Sequence, residues 1–428
     1  MTPAVGYTEM KDSGISWIGK IPSNWVVNRI KNHFRIITGN GFPVELQGQA
    51  EGDYPVCKAS DISNASKIIC KAANYIHNDT VNSQHFNIIP AGSILLPKIG
   101  EAMKKNSRAI CAMDCCVDNN CQGLVPLHFN STYGYYLLSC IDMRWFDNAG
   151  TIPCVNNQKL KDCKIPCPDA REQSAIAAYL DSQCAKIDEI IAEAKASIED
   201  YQQWKASIIY EAVTKGLDPN AEMKDSGIEW IGEIPKGWNI AKAGMLFKEF
   251  IRPYCKGDKP LSLSQQDGLV PTDEMKESSL KTASYDNWKR VYLDDLVLNR
   301  FKAHLGVFFA SRYVGCVSFH YGVYHAIRSD VVPKYYEYLF HSPHYKSLFA
   351  QLSNGITVGL QNLSNRNFYS AYVHFPDYET QVEILDFLEK KCSELESLIV
   401  EKCLLIDDLE AYKKSLIYEV VTGKRRVC

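Results

Sequence analysis

The sequence has no apolar run approaching the ~18 residues of a membrane span, although 46% of its 428 residues are apolar. Its opening, MTPAVGYTEMKDSG, has neither a basic start nor an apolar core. No secretory signal is therefore expected, and the cytoplasm is the expected location. No Pro-Pro pair occurs, yet an adenine amino-methyltransferase needs an Asn/Asp-Pro-Pro-aromatic loop to hold a flipped base. Gly-Lys occurs only at Gly19-Lys20 and Gly423-Lys424, followed by Ile21 and Arg425, so the G-x4-G-K-[ST] phosphate cradle is missing. H-E-x-x-H and G-x-S-x-G are missing too, which removes the common hydrolase signatures. Histidines such as His304, His320 and His325 are isolated in sequence. Each absence moves weight from an enzyme toward a binding protein.

Cysteine, by contrast, is plentiful, at sixteen residues. Without a secretion signal these read as reduced thiols. Cys111, Cys115, Cys116 and Cys121 cluster, as do Cys163 and Cys167. Neither group has paired C-x2-C spacing or histidines at finger spacing. They read as small buried hydrophobes, and no metal is expected.

A chain of 428 residues exceeds one core and predicts two or more domains. Its strongest positive feature is a repeat. Glu9 to Trp25 reads EMKDSGISWIGKIPSNW, and Glu222 to Trp238 reads EMKDSGIEWIGEIPKGW, with thirteen of seventeen positions identical at an offset of 213. Lys205 to Thr214 (KASIIYEAVT) matches Lys413 to Thr422 (KKSLIYEVVT) at an offset of 208. The interiors between these blocks do not match. Charge follows the repeat: residues 1–168 carry net +3, 169–217 net −4, 218–376 net +2 and 377–428 net −4. Mild positive charge on the two large blocks permits phosphate contact without demonstrating it.

The acidic blocks predict long helices. Leu180, Ile187, Ala194, Tyr201 and Ile208 recur every seven residues, with Cys184, Ile191 and Ile198 as a second row. The second block repeats this with Leu388, Leu395, Lys402, Leu409 and Leu416, and with Cys392, Ile399 and Ile406. Lys402 interrupts the row, so the seam is expected to shift toward Cys403. Asp169 and Glu172 form a capping-box pattern after Pro168, and Pro376-Asp377 opens the second helix in the same way. Two such stripes in one chain predict that the helices pack on each other as an antiparallel coiled coil with a pseudo-twofold axis. The interiors hold short β-branched and aromatic runs separated by Gly, Asn, Asp and Ser, such as Gly92–Pro97, Ala109–Ala112, Arg290–Leu293 and Cys316–Phe319. Short helices are expected at Tyr133–Cys140 and Pro333–Phe340. The fold class is therefore α+β, with globular domains at 1–168 and 218–376 alternating with helices at 169–217 and 377–428.

This pattern resembles the specificity subunit of Type I restriction–modification systems. The resemblance rests on Asp-Ser-Gly-Ile-x-Trp-Ile-Gly-x-Ile-Pro-x-x-Trp (Asp12 to Trp25 and Asp225 to Trp238). It also rests on the Pro-x4-Gln helix entries (Pro168 to Gln173 and Pro376 to Gln381) and the Ile-Tyr-Glu-x-Val-Thr helix ends (Ile209 to Thr214 and Ile417 to Thr422). It implies two target-recognition domains, each reading one half of an asymmetric bipartite DNA site. The spacer helices would set the gap and dock two modification subunits. It also implies that the chain does no chemistry itself. S-adenosylmethionine, ATP and magnesium would belong to the modification and restriction partner subunits. The resemblance gives no role to the Cys111–Cys121 segment.

Base readout needs Arg, Lys, Asn and Gln on loops, and phosphates take Lys, Arg and hydroxyls. The first domain offers Lys98, then Lys104, Lys105 and Arg108 after a Gly100 turn, and later Thr151, Asn157 and Lys159. In comparable places the second offers Arg300, Lys302 and His304, then Thr357, Gln361, Asn362 and Arg366. Candidate spacer and partner-helix positions are Leu180, Ile187, Ile191, Ile198 and Tyr201, with Leu388, Leu395, Ile399, Ile406 and Leu409. A protein-binding coiled-coil scaffold and a stand-alone DNA methyltransferase of unusual motif are the alternatives left open.

Overall fold

A computed structural model describes residues 7–148, 150–265, 268–275, 285, 287–353 and 362–427. Two compact units emerge: residues 1–194 with 404–428, and residues 195–403. These differ from the expected division at the domain–helix junctions. The cut falls inside both long helices, Ala170–Lys215 and Tyr378–Val421, so each unit owns part of each. No helix among the described residues is long and apolar enough to cross a membrane.

In the first unit, a five-stranded sheet runs in the order Phe34–Thr38, Cys121–Pro126, Ile94–Pro97, Ala109–Cys111, Ile68–Ile69. One face packs with Trp25, Tyr133 and Leu137, and this core continues onto the helix positions Leu180, Cys184, Ile187 and Ile191 and onto Leu416, Val420 and Val421. The other face closes over Cys57, Cys111, Cys115 and Cys121. Burial pushes the Cys116 thiol up to about 12.

The second unit has a four-stranded sheet in the order Phe247–Glu249, Tyr321–Ala326, Leu296–Asn299, Phe308–Ala310. Its core joins Trp238, Phe308, Tyr335, Tyr336 and Phe368 to Ala212, Val213, Ile384 and Leu388 of the long helices. The expected short helices are present as Ser131–Ser139 and Pro333–His341.

The repeated motifs build the same joints in both units. Asp12 Oδ1 accepts from Gly14 N and Asp225 Oδ1 from Gly227 N, each at 2.9 Å. These Asx turns open the connections of the hairpins Met10–Asp12/Lys20–Pro22 and Met223–Asp225/Glu233–Pro235. The helix-entry glutamines are buried struts. Gln173 donates to Pro168 O at 2.9 Å and accepts from Asn130 N. Gln381 donates to Pro376 O and accepts from Val332 N, both at 2.9 Å. Asp169 and Asp377 cap their helices through Glu172 N and Thr380 N. The reciprocal half of the capping box at Asp169 does not form. The Glu172 carboxylate instead takes Trp25 Nε1 at 2.8 Å and the Tyr7 hydroxyl at 2.5 Å.

Helix ends are held by tyrosines. Tyr335 Oη donates to Val213 O at 2.8 Å in the second unit, and Tyr133 Oη to Val421 O at 3.3 Å in the first. These satisfy carbonyls that a helix terminus leaves without intrahelical partners. The helical segments of each unit also share an equivalent ion pair, Asp188–Lys413 at 2.6 Å in the first and Lys205–Glu396 at 2.6 Å in the second.

The seam residues Leu180, Ile187, Ile191, Leu388 and Leu395 are buried, whereas Ile198, Tyr201, Ile399, Ile406 and Leu409 are half-buried. The expected shift to Cys403 does not occur. Cys403 is exposed and Lys402 keeps its place half-buried, because a lysine can lay its aliphatic stem on an apolar stripe while its ammonium reaches water.

Gly216 and Gly423 both terminate long helices at positive φ, +81° and +70°. A Cβ at Gly423 would meet Pro22 Cδ at 2.2 Å, whereas at Gly216 the nearest atom is Trp238 at 3.4 Å. Gly216→Ala should therefore cost about 1 kcal/mol from backbone strain. Gly423→Ala should cost roughly 1–3 kcal/mol more through overpacking. Denaturant melts of the two variants check the order, and equal losses would contradict it.

Candidate nucleic-acid interface

The two sheets can be superimposed residue by residue through their registers. Leu96 pairs with Gln122 in the first unit, as Leu298 pairs with Gly322 in the second. Two residues further along, Lys98 and Arg300 each offer a carbonyl to the chain returning toward the final strand. Lys98 O accepts from Val155 N at 2.9 Å and Arg300 O from Leu363 N at 3.1 Å. The helical turns that follow begin at Asn157 and Asn365, capped by Asn156 and Ser364. Lys98 thus corresponds to Arg300, Asn157 to Asn365 and Gln158 to Arg366. Each unit gathers its basic strand end and its amide-bearing turn at one edge of the sheet.

The edges share a plan and differ in chemistry. In the second unit, Glu249 is the hub. Its Oε2 accepts from Arg300 Nη2 at 2.7 Å and Asn365 Nδ2 at 2.5 Å, and its Oε1 from Lys289 Nζ at 2.8 Å. Arg300 and Tyr324 Oη both donate to Asn365 Oδ1 at 2.8 Å. Burial by itself would raise the Glu249 carboxyl. The hydrogen bonds from Lys289 and Asn365, with the charges of Arg300 and Lys289, outweigh it and hold the group below the usual carboxylate range. In the first unit the positions of Glu249 and Tyr324 are Ile36 and Leu124, as the strand registers show. Gln122 is fully buried there with neither amide atom hydrogen-bonded, and Asn157 Oδ1 is buried without a partner. Lys98 is half-buried with no carboxylate beside it among the described residues.

The other expected contact residues divide by exposure. Lys104 and Lys105 are exposed on the Gly100–Lys104 helical turn, and Lys104 is bridged to Glu101 at 2.6 Å. Thr151 and Lys159 are exposed, with Lys159 Nζ 3.2 Å from Asp147 O. Lys302, Asn362 and Arg366 are exposed, and His304 is half-buried with Nδ1 unpartnered. Thr357 and Gln361 lie outside the described residues, as does Asn354-Gly355-Ile356.

Arg108 is a correction. Only 5% exposed, it donates from Nη1 to Asn106 O at 2.7 Å and from Nη2 to Asn106 Oδ1 at 3.1 Å and to Ile141 O. Burial pulls its guanidinium down to about 10, which leaves it charged at neutral pH. A side chain so enclosed cannot reach a phosphate. It pins the Lys104–Asn106 turn to the Ile141 segment.

Sequence reasoning passed over Gln122, a polar residue in an otherwise apolar strand, and Glu249, an acid in a block read for its cations. It also passed over the turn residues Asn119, Asn120, Phe319 and His320, at the same sheet edge. The only available signals were the polar break in an apolar strand and an aromatic in a turn.

Comparisons with known proteins agree on one family. Residues 22–200 match the Type I restriction modification DNA specificity domain. The chain is 28% identical over 256 residues to the Type I restriction enzyme MjaIX specificity subunit of Methanocaldococcus jannaschii, covering 56% of this chain and 55% of that one. It is 26% identical over 239 residues to the putative MjaX specificity subunit of the same organism, covering 53% of each. The chain thus spans about half the length of the curated relatives it matches. Among solved structures, a chain of a type I R-M system covers 94% of this chain and 99% of its own, with TM-score 0.68 and 13% identity. The HsdS subunit from Thermoanaerobacter tengcongensis covers 94% and 98%, with TM-score 0.53 and 12% identity. These two likenesses show a shared fold.

The placement of the cations separates two classes of variant. Lys104→Ala with Lys105→Ala should weaken DNA binding and lower the log–log salt slope by roughly 2 units. Arg108→Ala should leave that slope unchanged and cost roughly 1–3 kcal/mol of stability, because Ile141 O and Asn106 lose a charged donor. Salt titrations beside thermal melts read both effects. A flattened slope in a fully stable Arg108→Ala chain would contradict the assignment.

Proposed function

We propose, from the premise that this chain belongs to the HsdS family of Type I restriction–modification specificity subunits, that it selects the DNA sequence on which its partner subunits act. Each unit reads one half of an asymmetric bipartite site. The chain carries no chemistry of its own. Two modification subunits bring S-adenosylmethionine and methylate adenine, and restriction subunits use ATP and magnesium to translocate and cleave. The two long helices dock the modification subunits and fix the spacer. One turn of duplex is about 10 bp, so a one-base-pair spacer error rotates a half-site by roughly 36°.

The observation that carries this reading is the contrast at the two sheet edges. The same frame ends in Lys98, Gln122 and Asn157 in one unit and in Arg300, Glu249, Tyr324 and Asn365 in the other. A scaffold that bound only protein through its repeats would have no need for a common frame with unlike polar tips. Readout of two different half-sites needs that arrangement. Lys98, Lys104, Lys105, Thr151, Asn157, Lys302, Asn362 and Arg366 are the residues we place at the duplex, with Arg300 and His304 positioned behind them.

Methylation mapping of genomic DNA carrying the intact system should give one split, asymmetric adenine-methylated motif. A chain that methylates DNA unaided, or a map with no motif, would overturn the proposal. Inserting four residues, about one helical turn, after Ala194 should change the accepted spacer or abolish modification. Retention of the original spacer at full efficiency would remove the ruler role.

A further inference from the structure

The turn beside Arg300 exposes aromatic surface that the fold does not use. Phe319 is 52% exposed and Phe301 38%, and neither joins a core cluster. The His320 ring lies between them, 3.8 Å from Phe319 and 5.6 Å from Phe301 between centroids. The register places this turn. Tyr321 pairs with Asn299, and Tyr321 N donates to Ser318 O at 3.0 Å, so Phe319-His320 is the tip of a tight turn next to Arg300. Leu305, 37% exposed, and Lys302 stand on the adjoining helical turn. Three rings gathered at this turn and the adjoining helical turn, beside the exposed Lys302 and outside the core, cost solubility without supporting the sheet.

The first unit builds the same turn with different residues. Cys121 pairs with Pro97, and Cys121 N donates to Asp118 O at 3.0 Å. Its tip is Asn119-Asn120. Asn120 Nδ2 is tied to Asp118 Oδ2 at 3.2 Å, so that tip offers the Asn119 amide and the Asn120 carbonyl. One position therefore carries hydrogen-bonding groups in one unit and stacked rings in the other.

We infer that Phe319 and His320 form an aromatic wedge that enters a base step of the half-site read by the second unit, with Phe301 supporting it from behind. This rests on the DNA-reading proposal above and names residues and a mode of contact that it leaves open. A duplex is the occupant that suits exposed rings beside the exposed Lys302, which shares the helical turn of Phe301. A phosphate meets that ammonium, and an apolar side chain between bases recovers as stacking what it loses in water. The first unit reads its half by polar contact from the equivalent tip.

The test uses the complex of the full chain with its modification subunits and duplexes carrying the mapped target. Permanganate reactivity of thymines reports unstacking away from the methylated adenine. The wild-type complex should show one reactive step, in one half-site only. Phe319→Asn with His320→Asn, which installs the first unit's tip, should abolish that reactivity and weaken binding roughly tenfold or more. Phe319→Trp should keep both. Because these side chains are exposed, thermal melts of the variants should match wild type. Wild-type reactivity and affinity in the double variant would overturn the inference while sequence-specific methylation persisted. Weakened binding with no unstacked step in wild type would overturn insertion in favour of a groove contact. Failure of the DNA-reading proposal itself would look different, as a wild-type complex with no sequence preference.

Discussion

Each unit is completed by the far end of a long helix, and the rest of the architecture depends on that closure. In the first unit, Tyr418 Oη donates to Trp17 O at 2.9 Å and Lys424 Nζ to Ile18 O at 2.8 Å. Gly423 lies against Pro22 and Trp25. In the second, Tyr335 holds Val213 O and Gly216 lies against Trp238. The tryptophan of the repeated opening motif is thus the anvil on which a helix end rests. That role explains why the opening and helix-end blocks are the two stretches that match between halves. Each pair must fit a common joint, whereas the sheet edges have no such partner among the described residues.

The frame was readable because its signals are local. Asp-Ser-Gly makes an Asx turn from its own side chains, Asp169 and Asp377 cap the residues three positions on, and a seven-residue apolar row carries Leu180, Ile187 and Leu388 into the cores of the two units. The failures come from long-range contacts. Arg108 follows two lysines and a turn, so it reads as surface. Its burial is fixed by the Ile141 carbonyl, which no local pattern announces. Lys402 reads as a break in the seam, but its long stem tolerates a half-buried place that the sequence alone assigns to Cys403. Glu172 fits a capping box by spacing, and the indole of Trp25 takes its carboxylate instead.

The edge chemistry was only half readable for a related reason. The cations could be found by composition. Whether each is neutralised depends on one residue two strands away, Glu249 in one unit and Ile36 in the other. With Ile36 and Leu124 where the second unit has Glu249 and Tyr324, the first unit has no such network, and its Asn157 and Gln122 keep buried amide atoms without partners. Burying amides in this way costs free energy that a fold has no reason to spend on packing. The second unit satisfies Asn365, its equivalent of Asn157, and carries Gly322 where the first has Gln122, so the difference lies in the side chains.

The helix-end joint also has a consequence in time. Residues 195–403 form one unbroken stretch, whereas the first unit needs residues 404–428. Tyr418 and Trp17 stand 401 positions apart. During synthesis the first repeat must wait with its tryptophan face uncovered while more than half the chain is made. The second repeat can close as soon as its own segment has left the ribosome. The repeat made first is the last to finish, and in that interval its apolar face is open to chaperones and to the helix ends of other nascent chains.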